Sequence, residues 1–464
     1  MAEAAAAMGA TGVSMAGAVY EGVAIDSRRI RGGELFFALA GEQTDGHRFV
    51  TSALRSGAAA AVVHRPVDAP SDAVLIQVED TYQALHDLTR AVRRQVPERL
   101  VAITGSAGKT STKELLARVL AKRFRVAKSP GNLNNLYGFP LALLNIPEDS
   151  EWMVAEMGMS TPGELGQISR LGKPEVVLLT NVRPAHLEFF GTLEAIAEAK
   201  AEILEGLTRG GIVVANASDP QVRRVVRRFA DSGEVPSRVV WFGSPGAPET
   251  LSAWAEDLAP LTGDRPGCRF RLRLGEREIA VELPLIGRHN VDNAVAAAAC
   301  ASALGVPMEE IAVALGEAEP AAGRGEVHDL PGGGRLIDDS YNSNPEAAAA
   351  ALSAVAALGS GRRWAVLGEM RELGPETPRF HRETGRHAAE AGFSPVIGVG
   401  ELARDLVAGA KEAGAVTHWF ADAAAAASFA AAELGAGDTV LIKGSRGVAL
   451  EAVVERLRLA GGEA

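Results

Sequence analysis

The stretch Ile103-Thr104-Gly105-Ser106-Ala107-Gly108-Lys109-Thr110-Ser111 constrains this chain more than any other. It follows an apolar run, 100–103, that predicts a buried parallel strand. It precedes 113–124, where Leu115, Leu116, Val119 and Leu120 recur at helical spacing. Strand, glycine turn and helix N-terminus together make an anion cradle: glycine lets backbone N–H groups approach phosphate oxygens, and the helix end favours their charge. Lys109 can then reach terminal phosphates and the Thr110 hydroxyl can ligate Mg²⁺. The loop reads G-x-x-G-K-T, because Ile103 stands where a longer phosphate loop has its first glycine. A spacing this short is weak by itself, and a glycine turn with a solvated lysine is the plain alternative. The strand before it and the helix after it make nucleoside triphosphate binding the stronger reading.

The 464 residues predict about three domains. With 47% hydrophobic and 23% charged residues, the chain can bury large cores. A net charge of −11 argues against a nucleic-acid or membrane-surface binder. The arginine pairs Arg223-Arg224 and Arg227-Arg228 alternate with Val225 and Val226, as on the wet face of a helix. Two cysteines, Cys268 and Cys300, make neither a disulfide framework nor a cysteine zinc site, so a reducing cytosol is expected. Residues 1–19 lack the basic start and leucine-rich core of a signal peptide. The longest apolar runs, such as 347–358, are alanine-rich and too short to span a bilayer. Nothing in the pattern demands assembly, so a monomer is expected.

Short strands at 22–25, 34–38, 59–63 and 74–78 predict a small N-terminal domain over 1–98, closed by a charged stretch at 90–99. From 99 to 319 strands and helices alternate, with strands at 100–103, 153–156, 176–180 and 212–215, as in a parallel sheet. Residues 239–281 look like a β-rich insertion. Pro320 to Gly325 is a proline-glycine hinge, after which alternation restarts with strands at 336–339, 364–367, 396–399 and 440–442. The expected fold class is α/β in three domains: a small α/β N-terminal domain, a central phosphate-loop parallel-sheet domain and a Rossmann-like C-terminal domain over 320–464.

Several residues stand at strand ends, where open α/β sheets bind ligands. Glu156 ends one such strand, and a Mg²⁺ ligand and a helix cap fit it equally. His186 follows another, where a lone histidine is more often structural. Thr110, Glu156 and His186 converging on one edge favour a site. Lys200 lies in an amphipathic helix and reads as a surface lysine. The loop 131–140, with Asn132, Asn134 and Asn135, suits polar ligands or ordinary turns. Asn290 and Asn293 open an alanine-rich helix, as a cap or as an adenine contact. Asp339, in the run Asp338-Asp339-Ser340-Tyr341-Asn342-Ser343-Asn344-Pro345, sits where a ribose hydroxyl is often met. Lys443 and Arg446 follow another strand and face either phosphate, a carboxylate or solvent.

In this order, Asp26-Ser27-Arg28, Asp45-Gly46-His47, the phosphate loop, the 131–140 loop, Glu156-Met157-Gly158, Ala185-His186, Ala199-Lys200, Asn290/Asn293 and Lys443 to Arg446 resemble the Mur ligases. These are ATP-dependent amide ligases of peptidoglycan precursor synthesis. The segments 338–345 and 368–374 resemble the member that adds D-alanyl-D-alanine to UDP-N-acetylmuramoyl-tripeptide through an acyl phosphate. The resemblance implies roles residue by residue. Ser27, Asp45, Gly46 and His47 would bind the uridine diphosphate end. Gly105, Ser106, Ala107, Gly108, Lys109, Thr110 and Ser111 would hold ATP, with Asn290, Asn293, Arg324 and Asp339. Thr110, Glu156, His186 and Lys200 would organise Mg²⁺, with Lys200 carrying a CO₂-derived carbamate. Asn132, Asn135, Tyr341, Asn342, Lys443 and Arg446 would contact the peptide substrates, and Lys109, Glu156, His186 and Lys200 would be catalytic. Two positions depart from the family pattern: Ala107 lacks the side chain usual in the loop, and Gly325 replaces a larger residue after the hinge arginine. The rival readings are a sister ligase of the Mur or folylpolyglutamate type, and a regulatory NTPase on the same loop.

Overall fold

Residues 100–103 are all apolar, so both faces of the strand they form must be covered, and the structure covers both. The structure is a computed structural model; it describes all residues except 14–18, 42–43, 96–98, 185–186, 234–236, 262, 264, 359–360 and 460–464. Arg99–Thr104 runs parallel between Trp152–Glu156 and Val176–Leu179 in a nine-stranded sheet. One face packs against the helices Lys109–Leu120 and Arg288–Ala303, the other against Glu164–Gly172 and Leu193–Ala201. Residues Ala294 to Ala301 of the alanine-rich helix are all buried, and their small side chains let it lie close against the phosphate-loop helix.

The section expected as an insertion instead extends this sheet. Arg238–Gly243 adds in parallel, the start of Ala253–Leu261 continues it, and Gly267–Leu274 and Arg277–Leu283 complete it as an antiparallel meander. Phe270, Leu272, Val281 and Leu283 alternate inward into the core shared with the alanine-rich helix, so this region is covered on one face only.

The N-terminal sheet has the order Gly12–Val13, Leu75–Gln77, Ala60–Val63, Leu35–Phe37, Val23–Ala24, with the first strand an antiparallel edge. The charged stretch at 90–99 is not a linker loop at its start: Arg90, Arg93 and Arg94 lie in the helix Thr81–Gln95. Arg93 is nearly buried and donates to the Gly172 carbonyl, which locks that helix onto the central domain.

In the C-terminal domain, Gly334–Asp339, Thr439–Lys443, Arg363–Gly368, Phe393–Val399 and Thr417–Phe420 form a parallel sheet with helices on both faces, as expected. Two strands of this sheet were not expected: Thr417–Phe420 at one edge and another at the opposite edge. Glu326–Leu330 pairs antiparallel with Gly334–Asp339 as an edge strand. Its charged face, Glu326 and His328, hid the alternation with Val327.

Candidate active site

Two glycines set the phosphate loop. Gly108 has φ +81° and stands immediately before the helix Lys109–Leu120. A Cβ on Gly105 would lie 1.8 Å from Thr180 Oγ1. The neighbouring strand end fixes the loop. The Thr180 hydroxyl donates to the Ala107 carbonyl (2.8 Å), and Asn181 brackets the same residue, accepting from its N–H (2.9 Å) and donating to its C=O (3.1 Å). The backbone of Ala107 is therefore held without the side chain that the family pattern has there. Lys109 Nζ curls back onto the Gly105 carbonyl at 2.7 Å. Burial holds the Lys109 ammonium below the usual lysine range, and the Glu156 charge opposes that shift.

Glu156 is 3% exposed at the end of its strand. The Thr110 hydroxyl donates to Oε2 at 2.6 Å, and the Asn134 amide donates to Oε1. Of the loop amides, Asn134 is thus the one that reaches the carboxylate. Asn135 Oδ1 accepts from the Gly138 N–H where the helix Gly138–Leu144 begins, and Asn132 is exposed. Lys113 supports the arrangement from one turn beyond Lys109. Its side chain is 1% exposed, and Nζ donates to the Ser129 carbonyl at 2.7 Å, while Ser129 Oγ accepts from the Glu156 N–H.

Lys200 is not a surface residue. It is buried in the helix Leu193–Ala201, and among the described residues its ammonium has no hydrogen bond or ion pair. Burial first, then the charge of Lys109, push its pKa well below the ordinary lysine value. Ile196, Lys200 and Ile203 recur at helical spacing, and that apolar stripe was the signal that pointed Lys200 inward. His186 lies outside the described residues.

A cavity between the central and C-terminal domains begins at Ala107 and Gly108 and is bounded by Asn293, Arg324, Asp339 and Lys443. Asn290 and Asn293 do not cap their helix, because Gly287 holds the N-cap position. Both are buried inside its first turns: Asn290 donates to the Ile286 carbonyl, and Asn293 Oδ1 accepts from the Thr112 hydroxyl at 3.3 Å. Lys443 is buried and bonds Asp339 Oδ2 (2.7 Å) and the Asn342 carbonyl (2.9 Å), so this pair orders the strand ends that face the loop. The Arg324 guanidinium lies 4.2 Å from the Tyr341 ring centroid, and the exposed Arg446 lies 5.2 Å from it.

In the N-terminal domain, Asp45 accepts from the His47 N–H (2.9 Å), the His47 ring Nδ1 (2.7 Å) and Arg65 (2.5 Å). The His64 N–H donates to His47 Nε2, so that nitrogen is an acceptor and the ring is neutral. His47 is buried with both nitrogens engaged and acts by orienting Asp45. Gly46 allows close packing: a Cβ there would lie 2.7 Å from the Leu39 N and O. Ser27 is half-buried in a short turn capped by Asp26.

Three family models match the chain: the Mur ligase family catalytic domain at 19–93, the Mur ligase middle domain at 103–301 and the Mur ligase glutamate ligase domain at 323–446. The UDP-N-acetylmuramoyl-tripeptide–D-alanyl-D-alanine ligase of Escherichia coli K12 is 36% identical over 94% of each chain. The Bacillus subtilis 168 enzyme of the same name is 33% identical over 95% of this chain and 93% of its own. A crystal structure of MurF from Acinetobacter baumannii superposes with a TM-score of 0.86 at 30% identity, covering 98% of both chains. MurF from Thermotoga maritima in complex with ADP gives 0.83 at 29% identity, covering 97% of this chain and 100% of that one. With matching domains in this order and relatives alike along nearly the whole length, this chain belongs to the Mur ligase family.

Proposed function

We propose that the chain is the ATP-dependent ligase that joins D-alanyl-D-alanine to UDP-N-acetylmuramoyl-tripeptide, releasing ADP and phosphate. The observation that carries the reading is the Thr110–Glu156 contact at the mouth of the phosphate loop, in a chain resembling ligases of that activity over 94% of its length. The Thr110 hydroxyl and Glu156 carboxylate are hard oxygen donors 2.6 Å apart and fit Mg²⁺, with His186 as a further ligand. Bound there, Mg²⁺ would neutralise charge on the transferring phosphoryl group.

Lys200 fits the carbamate. CO₂ reacts with a neutral amine, and burial beside Lys109 favours that form. The N–C bond would form with loss of a proton from nitrogen, and the Lys109 charge would favour the resulting anion.

The substrate carboxylate is a poor electrophile. One of its oxygens attacks the γ-phosphorus, ADP departs, and an acyl phosphate forms. Lys109 and the N–H groups at the start of its helix, 109–111, carry the developing charge. The dipeptide amine then attacks the acyl carbon, and phosphate leaves as the tetrahedral intermediate collapses. Water would hydrolyse the acyl phosphate, so the C-terminal domain closes the cavity about the 320–325 hinge. Asn290, Asn293, Arg324 and Asp339 hold the nucleotide; Tyr341, Asn342, Lys443 and Arg446 line the approach of the amine. The Asp45–Gly46 loop and Ser27 hold the uridine diphosphate end.

The test is phosphate release from ATP by the purified protein with UDP-N-acetylmuramoyl-tripeptide, with and without D-alanyl-D-alanine. Release that requires both, with a pentapeptide product by mass, is expected. Release with another amino acid alone points to a sister ligase, and release with neither substrate to a regulatory NTPase.

A further inference from the structure

The edge strand Glu326–Leu330 carries a group that the ligase chemistry does not use. Glu326 and Asp338 stand directly opposite each other across the antiparallel pair Glu326–Leu330/Gly334–Asp339. Like charges at such positions destabilise a sheet unless something neutralises them. Among the described residues no lysine or arginine forms an ion pair with either carboxylate. Asp338 is 8% exposed, so solvent screens it poorly.

His328 lies two residues along the same strand, on the face that carries Glu326. One ring nitrogen of His328 and one oxygen from each carboxylate all lie within 4.8 Å of one another. Its Nε2 is buried with no hydrogen-bond partner. One oxygen of each carboxylate is committed to the backbone: Glu326 Oε2 accepts from the Gly323 N–H at 2.8 Å and Asp338 Oδ1 from the Ser340 N–H at 3.0 Å. The other oxygen of each is left over. Ligands about 2.0–2.2 Å from one ion can stand up to roughly 4.3 Å apart, so the observed spread closes with small side-chain movements.

We propose that Glu326, His328 and Asp338 bind a borderline divalent transition metal of the Zn²⁺ class, at a site separate from the nucleotide's metal. One imidazole and two carboxylates suit such an ion better than Mg²⁺, which prefers oxygen ligands alone. The bound ion fastens the base of the hinge. Gly323 and Gly325 flank Arg324, and the Gly325 N–H donates to the Asp338 carbonyl while the Tyr341 N–H donates to that of Gly323. The ion would therefore tie the hinge loop to the strand that ends in Asp339. The proposal does not depend on the ligase reading.

The test is calorimetric titration of the full-length, nucleotide-free protein with Zn²⁺, alongside Glu326→Gln and His328→Gln, and ¹⁵N-histidine NMR of the unsubstituted protein. Neither residue belongs to the catalytic machinery, so both variants should keep their affinity for an ATP analogue, which also reports that they fold. Expected are one equivalent of Zn²⁺ bound, a shift of the His328 ring nitrogens on saturation, and a loss in each variant at least as large as the roughly 10–100-fold typical of outer-shell changes. No Zn²⁺-dependent shift of His328, or Zn²⁺ binding that both variants retain, would overturn the proposal.

Discussion

Replacing Gly108 by alanine tests the construction of the phosphate loop. Two costs arise. At φ +81° and ψ −4° the residue is left-handed, and alanine there costs about 1–2 kcal/mol. The new methyl would also lie 2.3 Å from Asn293 Oδ1 and 3.2 Å from its Cγ, so that amide must move. Asn293 is 7% exposed, and moving it disturbs its bonds to Thr112 and Asn290. A buried amide that loses its partners costs roughly 1–3 kcal/mol. The two terms together come to about 2–5 kcal/mol. Gly210 isolates the first term, because it has φ +78° and an added Cβ would meet nothing within 4 Å. Thermal unfolding and calorimetric titration with a non-hydrolysable ATP analogue should therefore separate the two variants. Gly210→Ala should lose only the conformational term and bind the analogue normally. Gly108→Ala should unfold more readily than Gly210→Ala or, where nucleotide affinity bears about 2 kcal/mol of the clash, bind roughly 30-fold more weakly. If Gly108→Ala binds within threefold of the unsubstituted protein and unfolds together with Gly210→Ala, the argument that Asn293 has no room is wrong.

Two other outcomes follow from buried polar groups. Lys113→Met fills a similar volume but leaves the Ser129 carbonyl without its donor, and should lower stability by about 1–3 kcal/mol. Because Ser129 also braces Glu156, the Mg²⁺ concentration for half-maximal activity should rise; an unmoved Mg²⁺ dependence would reduce Lys113 to packing. Acid should destabilise the protein in two stages. Burial lowers the pKa of His47, His86, His289 and His381 from 6.5, so the unfolded chain takes up protons first and the stability these groups give above 6.5 is lost as pH falls. Asp26 and Glu198 are lowered chiefly by hydrogen bonds from Arg28 and Arg228, and Asp45 by the His47 N–H; their contribution is present above the ordinary carboxylate range and lost below it. Urea midpoints at pH 8, 6 and 4 measure both stages, and a midpoint that stays level from 8 to 6 and on to 4 would contradict them.

The reach of sequence reasoning here depends on whether a residue's role is local. The phosphate loop was legible because strand, glycines and helix start are contiguous in the chain, although Thr180 and Asn181, which hold the loop in place, are not. Four of the five N-terminal strands and four of the five parallel C-terminal strands followed from apolar runs for the same reason. The errors fell where a partner lay far away in the chain. Asn134, Asn135 and Asn132 are indistinguishable as neighbours, and only the return of Glu156 beside the loop selects Asn134. Asn293 looked like a cap, yet its partner Thr112 is 181 residues away. The strand Glu326–Leu330 was missed because Glu326, His328 and Asp329 leave Val327 and Leu330 as its only apolar residues, and its pairing with Gly334–Asp339 supplies the rest.

Lys200 shows the limit most clearly. Charge type alone places a lysine in water, whereas the spacing of Ile196, Lys200 and Ile203 places it on the apolar stripe. When these two signals conflict, periodicity deserves the greater weight, because it reflects the packing of a whole helix. A side chain that defies its own solvation free energy must then be held by the rest of the fold. Lys113, Lys200 and Lys443 are buried and Lys109 half-buried, yet their ammonium groups are held differently. Lys109 and Lys113 are answered by backbone carbonyls, and Lys443 by Asp339. Lys200 has no such answer among the described residues, and burial, with the charge of Lys109, pushes its pKa well below the ordinary lysine value.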